Sequence, residues 1–91
     1  MSDSDDTRAV PGFPCEFPIK VMGRIDGALR ESALRIIERH AGSVAADAVR
    51  SVPSSRGNFL SLTITIEAQS RQQLDDIYRE LSAHHDVLVA L

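Results

Sequence analysis

Between Phe59 and Ala68 the chain alternates without a break: Leu60, Leu62, Ile64, Ile66 and Ala68 are apolar, and Phe59, Ser61, Thr63, Thr65 and Glu67 stand between them. A period of two held over ten residues is the pattern of a strand buried on one face and solvated on the other. Such a strand needs partners beside it and an apolar layer over its dry face. The rest of the chain supplies both. Phe17, Ile19 and Val21 alternate with Glu16, Pro18, Lys20 and Met22, which predicts a second half-buried strand. Leu29, Ala33, Ile36, Ile37 and His40 recur at helical spacing, with Asp26 placed to cap that helix and Gly42 to end it. Ser70 and Gln73 form a capping-box pair opening a second helix, whose stripe is Leu74, Ile77, Tyr78 and Leu81. Val44–Val52 and Val87–Leu91 are expected to be the remaining strands, and the turn-forming run from Pro53 to Asn58 leads into the long one.

The order strand-helix-strand-strand-helix-strand predicts an α+β, ferredoxin-like βαββαβ fold, a four-stranded antiparallel sheet with two helices on one face. One residue resists it. The first strand of this topology lies inside the sheet, where Pro18 would remove a ladder donor, so pairing is expected to begin after Pro18 or to bulge there. Residues 13–91 are expected to form the single domain. Residues 1–12 carry Asp3, Asp5 and Asp6 with little that is apolar, and are expected to be a disordered acidic tail.

Charge and composition exclude several functions. A formal charge of −3 at pH 7 is unsuited to coating nucleic acid or an anionic membrane, where many cations must displace counterions. No apolar run approaches the ~18–20 residues of a membrane span, and the acidic N-terminus is unlike a signal peptide. A cytoplasmic protein without nucleic-acid or membrane partners is the expectation. Base stacking wants two or three outward rings, and only Phe59 offers one on the outward parity of the central strands. Cys15 has no Cys-x-x-Cys partner, and the 1 cysteine is too few for a thiolate zinc site. His84 and His85 are adjacent, which on a helix would point them apart, and His40 falls on an apolar stripe. No catalytic residue, metal or cofactor is therefore expected. Arg30, Arg35 and Arg39, interleaved with Glu31 and Glu38, read as a solvated face with local ion pairs.

The loop Gly23-Arg24-Ile25-Asp26-Gly27-Ala28 is similar to the phosphate-binding loop of acylphosphatases, and a divergent hydrolase using Gly23–Gly27 is the enzymatic alternative. The resemblance breaks at the residues that carry the chemistry. Asp26 stands where that family has a glutamine, Glu31 where the catalytic arginine would fall, and Ser51 near the place of the water-positioning asparagine. Without the cation and the amide, most of the stabilisation of that reaction is gone.

A closer resemblance covers Phe13 to Leu91. The segment Phe13-Pro14-Cys15-Glu16-Phe17-Pro18-Ile19-Lys20-Val21-Met22-Gly23 resembles the opening signature of the YbeD-like family of small bacterial proteins of unknown function. Ser54, Gly57, Phe59 and Ser61 resemble its second, a Ser-x-x-Gly-x-aromatic-x-Ser turn entering a strand. The resemblance implies a ferredoxin-like fold similar to ACT regulatory domains, and no established activity. It suggests a small ligand, such as an amino acid, held by Met22, Gly23, Arg24, Ile25, Asp26 and Gly27, with Arg24 for a carboxylate and Asp26 for an amine. Strand parity adds a second candidate surface. Pro18, Lys20, Met22, Phe59, Ser61, Thr63 and Thr65 should line the uncovered side of the sheet, where Phe59, Met22 and the Pro18 ring could seed an apolar patch for another protein or a second copy. The expected function is that of a non-enzymatic regulatory or adaptor protein, a monomer or weak homodimer, acting by binding a protein partner or a small ligand.

Overall fold

A computed structural model describes residues 12–91, so the expectation of an acidic tail falls outside the described residues except at Gly12. The elements are β1 (Cys15–Arg24), α1 (Leu29–Ala41), β2 (Val49–Pro53), β3 (Phe59–Ala68), α2 (Arg71–Ala83) and β4 (Val89–Ala90). The sheet has the order β2-β3-β1-β4, with all neighbours antiparallel. This is the ferredoxin-like arrangement. Alternation sorts the faces: Ile19 and Val21 of β1 and Leu62, Ile64 and Ile66 of β3 are buried, against Leu29, Ala33, Ile36 and Ile37 of α1 and Leu74, Ile77 and Leu81 of α2. Full burial of such a side chain contributes about 1.5–3 kcal/mol before chain entropy is subtracted.

Pairing of β1 with β3 runs unbroken from Cys15↔Ala68 to Arg24↔Phe59, so neither a bulge nor a delayed start occurs at Pro18. Lys20 exchanges both main-chain bonds with Leu91, at 3.0 and 2.7 Å, so its amide faces β4 and not β3. Pro18, two residues away, has the same parity and lies beyond the end of β4. Among the described residues no strand pairs with β1 on that side of Pro18, and no ladder bond is lost there.

Other boundaries also differ from the sequence reading. The stretch expected as one strand from Val44 divides: Ala46–Ala48 is a 3-10 turn and β2 begins only at Val49. The last strand is two residues long, although Leu88 N–H to Met22 C=O and the Leu91–Lys20 pair extend its main-chain bonding. Gly42 does end α1, at φ 81°, with its N–H on the Glu38 carbonyl. Ser70 caps α2 by accepting from the Gln73 N–H at 3.1 Å, while the Gln73 side chain accepts from Gln69 N–H and donates to the His40 carbonyl. Among the described residues the ion pairs of α1 are not local. Arg39 and His40 both meet Glu80 of α2, at 2.9 and 2.6 Å, and Glu38 instead accepts the Val44 N–H. His40 and Arg39 hold the Glu80 carboxyl below its ordinary range, the His40 hydrogen bond most of all. Among the described residues no helix is long and apolar enough to cross a membrane.

Candidate functional site

The uncovered face of the sheet is organised in rows set by the strand register. Val89 of β4 stands opposite Met22 of β1, Met22 opposite Ser61 of β3, and Ser61 opposite Val52 of β2. This row crosses all four strands, roughly 14 Å at the usual strand spacing. Three of its four side chains are apolar and open to solvent: Met22 is 40%, Val89 43% and Val52 53% exposed. Phe59 lies diagonally from Met22, opposite Arg24, and is itself 38% exposed. Along the strands in the other direction the face becomes charged. Lys20 and Arg50 flank Thr63, and two rows beyond, Glu16 stands directly opposite Glu67. Open hollows of about 230 Å³ between Met22, Ser61, Val89 and Leu91, and of about 700 Å³ over Lys20, Arg50, Thr63 and Glu67, lie on this face.

The sequence-derived face is thus present, with one displacement. Lys20, Met22, Phe59, Ser61, Thr63 and Thr65 share it. Pro18 shares it too, but opposite Thr65, with Lys20 between it and Met22, so its ring is not part of the apolar patch. Val52, Val89 and Arg50 belong to the face and were not singled out from the sequence. Parity along β2 and β4 names them once the register of those short strands is known.

The Met22–Gly27 segment divides. Met22, Gly23 and Arg24 are the last residues of β1, and only Ile25, Asp26 and Gly27 belong to the turn before α1. Arg24 Nε and Asp26 Oδ1 pair at 3.1 Å with both side chains well exposed. Asp26 therefore does not cap α1, whose N-cap residue is Ala28 with no side-chain bond of its own. A carboxylate reaches the first turn from the far end of the chain. Asp86, in the turn between α2 and β4, accepts from Ser32 Oγ–H at 2.7 Å and stands near the Ala28 N–H. A carboxylate at a helix N-terminus meets free N–H donors and the positive end of the dipole. Its carboxyl is held below the ordinary aspartate range, first by the Ser32 hydrogen bond and then by His85 and His84 whenever these are protonated.

The same turn fixes Gly23. A Cβ there would collide with the Asp86 carbonyl oxygen and meet Leu29 Cδ1 at 3.0 Å. The glycine is needed because two main chains approach too closely for any side chain, not for the turn itself. Gly57 serves differently. It has φ 73° in the β2–β3 turn, where the Ser54 hydroxyl accepts the N–H groups of Asn58 and Phe59 at 3.2 and 3.1 Å.

His84 and His85 lie beyond the end of α2, and their rings stack with centroids 4.6 Å apart and planes 20° from parallel. The expectation that they point apart on a helix is overturned: α2 has ended before them, His84 is the extended C-cap residue, and the two rings stack. Cys15 is half-buried and lines an apolar groove with Phe17, Leu74 and Tyr78. Phe17 and Tyr78 meet edge to face at 6.5 Å, and burial raises the Tyr78 phenol above its ordinary range while its hydroxyl donates to the Leu91 main-chain oxygen.

Comparison with known proteins agrees with this frame. A solution structure of protein HP0495 from H. pylori superposes with a TM-score of 0.73 over 100% of this chain and 96% of that one, at 16% identity, a likeness of fold alone. A UPF0250 protein of Paraburkholderia phytofirmans is 46% identical over 79 residues, 87% of this chain and 89% of the relative. Another, of Neisseria gonorrhoeae, is 34% identical over 91 residues, with both chains covered in full. The profile described as "Protein of unknown function (DUF493)" matches residues 9–91, which includes both signature segments. The chain belongs to this family of small bacterial proteins of unknown function, the YbeD-like group that its Phe13–Gly23 and Ser54–Ser61 segments resemble.

Proposed function

We propose that the protein is a non-catalytic adaptor or regulatory module whose working surface is the open face of the sheet, and that its occupant is another protein. The carrying observation is the row Val89–Met22–Ser61–Val52 with Phe59 beside it. Val89, Met22 and Val52 in this row, with Phe59 beside them on β3, gather exposed apolar side chains on an otherwise solvated face, and such patches mark contact surfaces. The face is a sheet with open hollows, where a small-molecule site would be a deep cleft. It also changes character along its length, from apolar at Met22, to cationic at Lys20 and Arg50, to acidic at Glu16 and Glu67. A partner of matching chemistry presents an apolar ridge, then acidic groups, then basic ones. Charge order of this kind selects partner and register.

The turn after β1 supports a ligand or a phosphoryl group less well. The N–H end of α1, where an anion would be held, already receives the Asp86 carboxylate, and a second anion would meet repulsion there. Arg24 is paired with Asp26.

The test is site-specific photo-cross-linking in the native bacterium, with the reactive residue at Val52 or, as control, at Arg30 on the exposed side of α1. One discrete protein cross-linked from Val52 and not from Arg30, which then binds the purified chain and loses binding to Val52→Asp, is the expected result. Equal products from both positions, none, or only cross-links between copies of the chain itself would overturn the reading.

A further inference from the structure

We propose that His84, His85 and Asp86 form a binding site for one divalent transition-metal ion of the zinc, cobalt or nickel type. The inference is independent of the sheet face. It rests on where the turn between α2 and β4 places three donors. One ligand atom from each residue lies within 4.8 Å of the others. His84 Nδ1 is 3.7 Å from Asp86 Oδ2, and His85 Nε2 is 3.6 Å from Asp86 Oδ1. Both are too long for hydrogen bonds. The two distances run to different oxygens of the carboxylate, and drawing the set in from 4.8 Å to the separation of ligand atoms on a tetrahedral ion, roughly 3.3–3.4 Å for bonds of 2.0–2.1 Å, calls for a rotation of the exposed His85 ring.

The donors are also prepared chemically. His84 Nδ1 accepts the Asp86 N–H at 3.1 Å, so in neutral histidine that nitrogen is unprotonated and its proton sits on Nε2. A metal would exchange that main-chain hydrogen bond for a coordinate bond without moving a proton. The carboxylate is held by Ser32 Oγ–H, the outer-shell bonding that fixes ligand orientation in metal sites. The turn is clamped on both sides, by Val87 N–H to the His84 carbonyl at 3.0 Å and by Leu88 N–H to the Met22 carbonyl at 2.8 Å. The His85 ring is freely accessible and able to close on an ion.

Two imidazoles with one carboxylate suit zinc, cobalt or nickel, and give magnesium and calcium too few oxygen ligands. Three protein ligands leave a position for water or for a group brought by another molecule.

The experiment is a titration of the full chain with Co²⁺, followed by visible ligand-field absorption and by amide resonances. Saturation at one ion per chain is expected, with changes centred on Ser32 and His84–Asp86, displacement by Zn²⁺ and none by Mg²⁺. Replacing the exposed His85 by alanine should weaken binding by more than about tenfold while leaving the unfolding midpoint unchanged. His40→Ala, which removes the third histidine, should bind as the parent does. Failure to saturate, or equal binding by the parent and His85→Ala, would overturn the proposal.

Discussion

At the scale of single residues, the junction of Gly23, Ser32 and Asp86 carries more of the fold than any one local motif. A methyl group at Gly23 would meet the Asp86 carbonyl oxygen, which is main chain and cannot rotate away. Gly23→Ala is expected to cost about 1–3 kcal/mol, as overpacking does, read as a lower midpoint in urea unfolding; an unchanged midpoint would show that the two chains separate freely. Asp86 gives the junction a pH dependence. Its carboxyl is held below the ordinary range in the fold, so the stability it contributes is present above that range and lost as pH falls through the folded value. Glu80, lowered by His40 and Arg39, acts in the same direction. Asp86→Asn should lower stability at neutral pH and flatten the loss as pH falls through the carboxylate range, measured as urea midpoints against pH. An acid limb as steep as the parent's would contradict this. None of this was legible in the sequence. Asp26 has the right residue type two positions before the N-cap, and local spacing points to it. The carboxylate that does the work lies 54 residues beyond Ser32 and is delivered by tertiary structure.

At the scale of elements, legibility followed length. Strands β1 and β3 alternate over ten residues each and could be read almost to their ends, as could the helices, whose stripes are matched by Ser70 and Gly42. The short strands could not. The 3-10 turn at Ala46–Ala48 breaks the pattern ahead of β2, and a two-residue β4 has no period to detect. Ser70→Ala should destabilise by about 0.5–2 kcal/mol, since the Gln73 N–H loses its acceptor; thermal unfolding checks it, and no change would mean water serves equally well. Pro18 makes the opposite case. A proline in a central strand reads as a defect, yet register places its ring where β4 has already ended. Pro18→Val is expected to change stability by less than about 0.5 kcal/mol, because no ladder bond waits for the restored N–H. A gain well above that would mean that an acceptor stands beside this edge.

At the scale of the whole molecule, one side of the sheet is filled by two helices and the other is graded from apolar to cationic to acidic. Parity alone identified Lys20, Met22, Phe59, Ser61, Thr63 and Thr65 on the open side. It could not identify Val52, Val89 or Arg50, because their place depends on the register of the two short strands. The apolar row is therefore a property of the assembled sheet and is invisible in any one segment. The face and the turn after β1 make separable demands on a partner, since Val52 lies on the far edge strand from that turn. The most direct test is the affinity of the cross-linked partner, once purified, for the parent chain, Val52→Asp and Asp26→Ala side by side. Both substitutions are on the surface and should leave folding within about 0.5 kcal/mol of the parent. If the open face is the working surface, Val52→Asp loses binding by more than about tenfold, as a charge forced into an apolar contact should, and Asp26→Ala changes it little. Loss with Asp26→Ala and none with Val52→Asp would move the function to the turn after β1 and contradict the account.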